Sequence, residues 1–270
     1  MVCAHVPDLH YFRGSFGGKD VIPLWRDPSA TQPNLPSGLL DSLGTSLGAV
    51  TAEDLFAYTY AVMSSPSYVE TFWEELFIPG PRIPITRDAA LFQRAVTLGK
   101  RLLWLQTYGE RFVPRGNRRG QVPAGTARCT RGIPTTTEGY PEKVSWQGDC
   151  LRVGDGEFGP VPQAVWEFSV SDFFVVESWL KSRLRDRTGR RTSPLDEIRP
   201  TTWSAAMTQE LLELLWVLEA TIAEQPRLNT LLTDILAAPL FAAADLPQPT
   251  AAERRPPGND EEADAELSLE

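Results

Sequence analysis

The hydrophobic period changes twice along this chain, and that limits the folds open to it more than any motif does. From Thr51 to Tyr108 the apolar residues recur every three or four positions. From Lys143 to Val170 they alternate, as in Val144-Ser145-Trp146 and Leu151-Arg152-Val153, and from Asp172 onward the three-to-four spacing returns. A period of 3.6 belongs to helices and a period of two to half-buried strands. The pattern predicts an α+β fold, with helical sections flanking a small, mostly antiparallel sheet. With 270 residues there is ample chain for a buried core.

Punctuation sharpens the reading. Leu9–Phe12 and Val21–Trp25 are short extended runs around the turn Gly14–Gly18, and Pro23 makes the second an edge strand or strap. Thr51, followed by Ala-Glu-Asp, predicts a helix start with acids in its first turn. Ser65-Pro66 predicts a restart, with Tyr68, Phe72, Trp73 and Leu76 on one face, read together with Tyr58 as core. Pro79-Gly80-Pro81 ends that helix. Thr86 opens a longer one over 88–108, with Leu91, Phe92, Ala95, Leu98, Leu102 and Leu105 inward. Residues 109–142 have little periodicity and read as a long loop. Strands are expected over 143–153 and 158–170, and a helix over 172–184 with Phe173, Val176, Trp179 and Leu180 as its stripe. Another helix is expected over 204–224, with Leu211, Leu214, Leu215, Leu218 and Ile222 on one side. Pro226 is expected to interrupt it before a shorter helix to Ala238. The expected domain is 1–246, mainly helical over 1–142 and built of sheet plus helices over 143–246. Residues 247–270 are expected to form a disordered acidic tail.

Charge is distributed unevenly. There are 26 Lys+Arg against 35 Asp+Glu, a net −9, of which residues 251–270 contribute −5. Lys100–Arg131 carries eight bases and one acid, and Lys181–Arg199 seven bases and three acids. Because salt screens charge beyond about 8 Å, these local excesses matter more than the total. They mark either a phosphate-facing surface or solvated loops. The acidic tail reads as a solubilising end or as a phosphate mimic folding over the arginines.

Catalytic signals are missing. Cys3, Cys129, Cys150, His5 and His10 have no metal-ligand spacing, so no metal is expected. Gly14–Gly18 lacks the strand–loop–helix setting of a phosphate loop, so no cofactor is expected. Ser65-Pro66-Ser67-Tyr68 only echoes the Asp/Asn-Pro-Pro-Tyr/Phe tetrapeptide of amino-group DNA methyltransferases. The expectation is a non-enzyme. With no apolar run of membrane length and no basic-plus-apolar leader, the default compartment is the cytoplasm.

Several segments occur in a familiar order: Pro33-Asn34-Leu35, Asp54-Leu55-Phe56-Ala57-Tyr58, Ser65-Pro66-Ser67-Tyr68, Pro81-Arg82-Ile83-Pro84-Ile85-Thr86 and Ala90-Leu91-Phe92. They continue with Leu98-Gly99-Lys100-Arg101-Leu102, Trp104-Leu105-Gln106-Thr107-Tyr108-Gly109-Glu110-Arg111-Phe112, Val165-Trp166-Glu167-Phe168, Trp179-Leu180 and Ser193-Pro194-Leu195-Asp196. From about His10 to Leu240 the chain resembles the C-terminal specificity (target-recognition) region of type ISP restriction-modification enzymes. The resemblance implies binding of duplex DNA, readout of a short asymmetric target, and catalysis in regions other than this one: a nuclease, a helicase-like motor and an adenine methyltransferase. It admits a separate methyltransferase, helicase or nuclease subunit as partner. Expected DNA contacts are Arg115, Arg118, Arg119, Arg128, Arg131, Lys181, Arg183, Arg190 and Arg191, chiefly to phosphates, with Asn117 and Gln121 suited to adenine edges. The alternatives are a protein-interaction subunit docking through the Leu211–Ile222 face, or a non-functional remnant of a larger enzyme.

Overall fold

The computed structural model describes residues 22–78, 80–170, 173–185 and 200–255. The expected strand Leu9–Phe12, the Gly14–Gly18 turn, and Arg190 and Arg191 lie outside them. The chain divides into two compact units, one made of residues up to Leu103 and from Gln225 onward, the other of Trp104–Glu224. The boundary expected at 142 is therefore replaced by one at 103, with the C-terminal residues returning to the first unit.

The first unit is helical: α1 (Leu39–Leu47), α2 (Ala52–Met63), α3 (Pro66–Thr71), most of α4 (Ala89–Gln106) and the last turns of α7 (Ala205–Ala237). Thr51 and Asp54 form a reciprocal capping box at the start of α2. Burial pushes the Asp54 carboxyl upward, but hydrogen bonds from Lys100 and Thr51 outweigh it and hold the group below its ordinary value. Tyr58 stacks on Phe92 at 4.8 Å, and its hydroxyl donates to Pro84 O and accepts from Thr86 N. Gly99 of α4 lies so close to α2 that a Cβ would be 1.8 Å from Ala57 O, so no larger residue fits there. Ser65-Pro66-Ser67-Tyr68 is a tether: Ser65 Oγ and Ser67 N both donate to Asn229 Oδ1, and Tyr68 hydroxyl donates to Arg82 O.

Two expectations change here. The aromatic face of α3 is core only at Tyr68. Trp73 and Phe77 are 60% and 75% exposed, because α3 ends at Thr71 and the chain then turns outward. Pro226 does not end α7, which runs unbroken to Ala237. Proline removes one N–H from the helix, yet the four buried side chains Leu228, Leu231, Leu232 and Ile235 hold the continuation in place.

The C-terminal return is specific. Phe241 N donates to Ile85 O and Arg87 N to Pro239 O, and Arg87 pairs with Asp245 at 2.6 Å. Arg26 donates to the carbonyls of Glu253 and Arg255, and Ser37 donates twice to Glu253 Oε1. Residues 247–255, expected in the tail, are thus hydrogen-bonded to the strap 22–37. The rest of the tail lies outside the described residues.

The second unit holds the sheet, in order β1-β4-β3-β2 and antiparallel throughout. Its strands are β1 (Arg128–Arg131), β2 (Val144–Gln147), β3 (Cys150–Val153) and β4 (Gly156–Gly159). The run expected as one strand over 143–153 is a hairpin. Gly148 and Asp149 both have positive φ, 55° and 63°, as the tightest right-twisting turn requires. Beyond Gly159, Pro160 and Pro162 end the expected strand; α5 (Gln163–Trp166) and the small ribbon β5 (Ser169–Val170)/β6 (Phe173–Phe174) follow. The helix expected from 172 begins later, as α6 (Val175–Lys181), leaving Phe173 exposed in β6. One face of the sheet (Leu151, Val153, Phe158) is buried with Val176, Leu180, Trp203 and the Leu211–Leu218 face of α7. That burial removes the docking surface the interaction-subunit alternative relied on.

Candidate nucleic-acid interface

Loop 109–121 leaves α4 through a left-handed pair, Tyr108 and Gly109. Gly109 N donates back to Trp104 O, closing the helix. Gly109 also receives the end of the loop: Gly120 N donates to its carbonyl, and a Cβ on Gly109 would lie 2.6 Å from Gln121 O. Both arms carry apolar anchors. Phe112 and Val113 on the outgoing side and Val122 on the returning side pack, with Ala220, against Trp104, Leu105 and Val217. Between the anchors the chain reverses at Pro114–Asn117, where Asn117 N donates to Pro114 O and Gly116 has φ +90°. This is the positive φ that a turn with glycine in third place needs.

The tip therefore projects Arg115, Asn117 and Arg118, all exposed and without a side-chain partner among the described residues. Gln121 is exposed at the base. Arg119 is tied across the base to Glu110 at 2.7 Å, with its side chain 62% exposed.

The sheet's other face carries a second group. Arg131 of β1, Glu157 of β4, Arg152 of β3 and Ser145 of β2 lie in one cross-strand row. Strict alternation would turn Arg131 inward, since Cys129 pairs with the buried Phe158. An irregularity between Cys129 and Arg131 shifts the register and brings Arg131 opposite Glu157. Arg131 and Arg152 both reach Glu157 Oε1, at 2.9 and 3.3 Å. Arg152 is absent from the sequence-derived set, although its alternation between buried Leu151 and Val153 was the signal that it faces outward.

The remaining expected contacts are differently placed. Arg128 donates to Gly125 O and Ala127 O, both at 2.7 Å, and faces the Trp216 ring. Arg183 stacks on Trp179 at 3.7 Å, donates to its carbonyl and lies 3.5 Å from Glu210. Lys181 pairs with Glu177 one turn earlier on α6. Arg185 faces Tyr140 and pairs with Glu142. These cations fasten the unit's own chain segments.

Among the described residues no group of histidine, cysteine and acid is arranged to hold a metal, and no helix is long and apolar enough to cross a membrane. Burial pushes the Cys129 thiol up, and it donates to Arg131 O, an environment that suppresses thiolate reactivity.

The family model of the type ISP C-terminal specificity domain matches residues 1–214. The chain belongs to that family. A comparison of this specificity domain with curated proteins finds no match. Among solved structures, it is similar to a portion of DrdV in its cryo-EM complex with DNA, at 19% identity and a TM-score of 0.54, over 74% of this chain and 20% of that one. The type ISP enzyme LlaBIII bound to DNA aligns at 16% identity and a TM-score of 0.46, over 71% of this chain and 12% of that one. The specificity domain thus spans about a fifth of the DrdV chain and less of the LlaBIII chain. The ordered segments also have structural meanings in it. Trp104-Leu105-Gln106-Thr107-Tyr108-Gly109 is the helix end that seats the basic loop, and Leu98-Gly99-Lys100 is the close crossing of α2 and α4.

Proposed function

We propose that the chain is the target-recognition module of a type ISP-like restriction-modification system. It binds duplex DNA sequence-specifically and performs no catalysis itself; methyl transfer, translocation and cleavage belong to other components of the system. The observation that carries this reading is the anchored loop 109–121, whose tip holds two arginines and an asparagine with no carboxylate partner among the described residues. Arg115 and Arg118 suit phosphates, which position a protein on the duplex; Asn117 suits the adenine edge in the major groove, which specifies. Gln121 is a second base-edge candidate, and Arg119 is a reachable phosphate ligand because an exposed ion pair is worth only about 0–1 kcal/mol. Membership of the specificity-domain family and the fold shared with a chain solved on DNA support the same reading. The location is the cytoplasm, where the DNA is.

The test is titration of fluorescent duplexes with the purified chain at several salt concentrations, followed by selection from a randomised duplex library. Binding with a steep salt dependence and recovery of one asymmetric sequence are expected. No binding at low salt overturns the proposal.

A further inference from the structure

Resting on that reading, we propose that Glu157 is a displaceable stand-in for a DNA phosphate, and that the outer face of the sheet, through Arg131 and Arg152, is a second phosphate-binding surface that opens only on the correct target.

The register makes the case. The shift between Cys129 and Arg131 gives up regular pairing in β1, and its result is to set Arg131 opposite Glu157. Arg152 stands opposite the same residue from the other side. Two guanidiniums converge on a single oxygen, Oε1. One carboxylate between two arginines leaves the row with one positive charge in excess. The arginine side chains are 60% and 56% exposed, whereas that of Glu157 is 26% exposed. The cations thus remain open to solvent while the anion sits lower between them. The row cannot turn inward, because Leu151, Val153 and Phe158 are buried beneath it. Ser145 continues it as an exposed hydroxyl opposite Arg152, a further donor to phosphate oxygen.

A phosphodiester can replace the carboxylate at little cost. Surface carboxylate pairs are weak, while guanidinium–phosphate contacts are charge-assisted and release counterions from the duplex. In an incorrect complex, with the loop tip unmatched to base edges, the sheet is not pressed onto the backbone and Glu157 keeps both arginines. In the correct complex the base contacts bring the sheet down and phosphate displaces Glu157. The carboxylate therefore weakens target binding, where it must be displaced, and leaves random binding, where it keeps its partners, nearly unchanged.

The experiment compares wild type, E157Q and R131A/R152A on a random duplex and on the duplex recovered by selection. E157Q is expected to bind the target about two- to fivefold tighter, the range a surface ion pair allows. Its affinity for random duplex and the salt slope of that binding should change little. R131A/R152A is expected to lose target affinity while random affinity is nearly unchanged, and it tests the idea without altering Glu157. If E157Q lowers the Tm but both affinities stay at wild-type values, the row is a structural ladder and the inference is wrong while the DNA-binding reading stands. If R131A/R152A weakens both duplexes equally, the surface is always open and the gating is wrong. If neither wild type nor E157Q binds any duplex, the proposed function falls with it.

Discussion

Loop 109–121 and segment 181–185 look alike as charge, since each is a short run dense in Arg and Lys. Their surroundings hold them in opposite ways. The loop's apolar residues sit on its two arms, Phe112 and Val113 against Val122, so the arms are drawn into the unit and the tip is held out. Segment 181–185 instead lies among aromatic rings and acids: Trp179 and Glu210 take Arg183, Tyr140 and Glu142 take Arg185, and Glu177 takes Lys181. The difference teaches that a basic run stays available to an outside anion only where its neighbours leave the guanidiniums unoccupied or weakly held.

The harshest way to break this comparison is to unseat the loop. Gly109→Ala puts a Cβ against the backbone of Gln121 at a residue with φ +78°. Overpacking costs about 1–3 kcal/mol and a left-handed side chain about 1–2 kcal/mol. Thermal unfolding should shift by several degrees and duplex binding should be lost. Gly116→Ala, at φ +90° but with open space around it, should cost only the backbone term and leave most binding intact. Equal losses in the two variants would mean the closure at Gly109 does not position the tip.

Next in size is the contrast between the two arginine sets. Arg115→Ala with Arg118→Ala should reduce the salt slope by about two, at about 0.9 per phosphate contact, with no change in Tm. Arg183→Ala should do the reverse. Its stack on Trp179 is worth about 0.5–2 kcal/mol, so the Tm falls and the slope stays. Asn117→Ala should weaken binding to the selected target by about 1–3 kcal/mol and leave random duplex unaffected, measured by competition.

The helices were legible because their signals are local. Thr51 with Asp54, Ser65 before Pro66, and the Phe92–Leu105 stripe each act within a few residues. Residues 109–121 were legible as a loop and their arginines as candidates, whereas β1 (Arg128–Arg131), inside the loop expected over 109–142, was not foreseen because only pairing with β4 makes it a strand. Three further features were not legible, because each depends on residues far apart in sequence. The partition into units needs the meeting of Ile85 with Phe241. The survival of α7 through Pro226 needs packing on both sides of the proline. The outward turn of Arg131 needs a register shift that only pairing with β4 reveals. Trp73 misled for a related reason: its spacing fits a helix face, but the helix stops at Thr71, and among the described residues the Trp73 side chain stays mostly exposed.

The finest test of the comparison reads the second segment alone, through Tyr140. Burial raises the Tyr140 hydroxyl above its ordinary value near 10, and the positive charges of Arg183 and Arg185 pull it some of the way back. Ionisation makes a phenolate, which a nearby guanidinium stabilises, so removing Arg183 must raise the pKa further. A hydroxyl raised in the folded state adds stability that is fully present below pH 10 and is lost as the pH climbs through the folded value. Tyr58, pushed up to about 12 by burial, and Tyr68, raised as well, titrate in the same alkaline window. The measurement is therefore the difference between variants, by ultraviolet absorbance of the phenolate. Arg183→Ala should move one tyrosine's midpoint upward, and Arg115→Ala with Arg118→Ala should move none. A shift in the loop variant would place the tip arginines within reach of a buried ring, and the two basic runs would no longer be distinct.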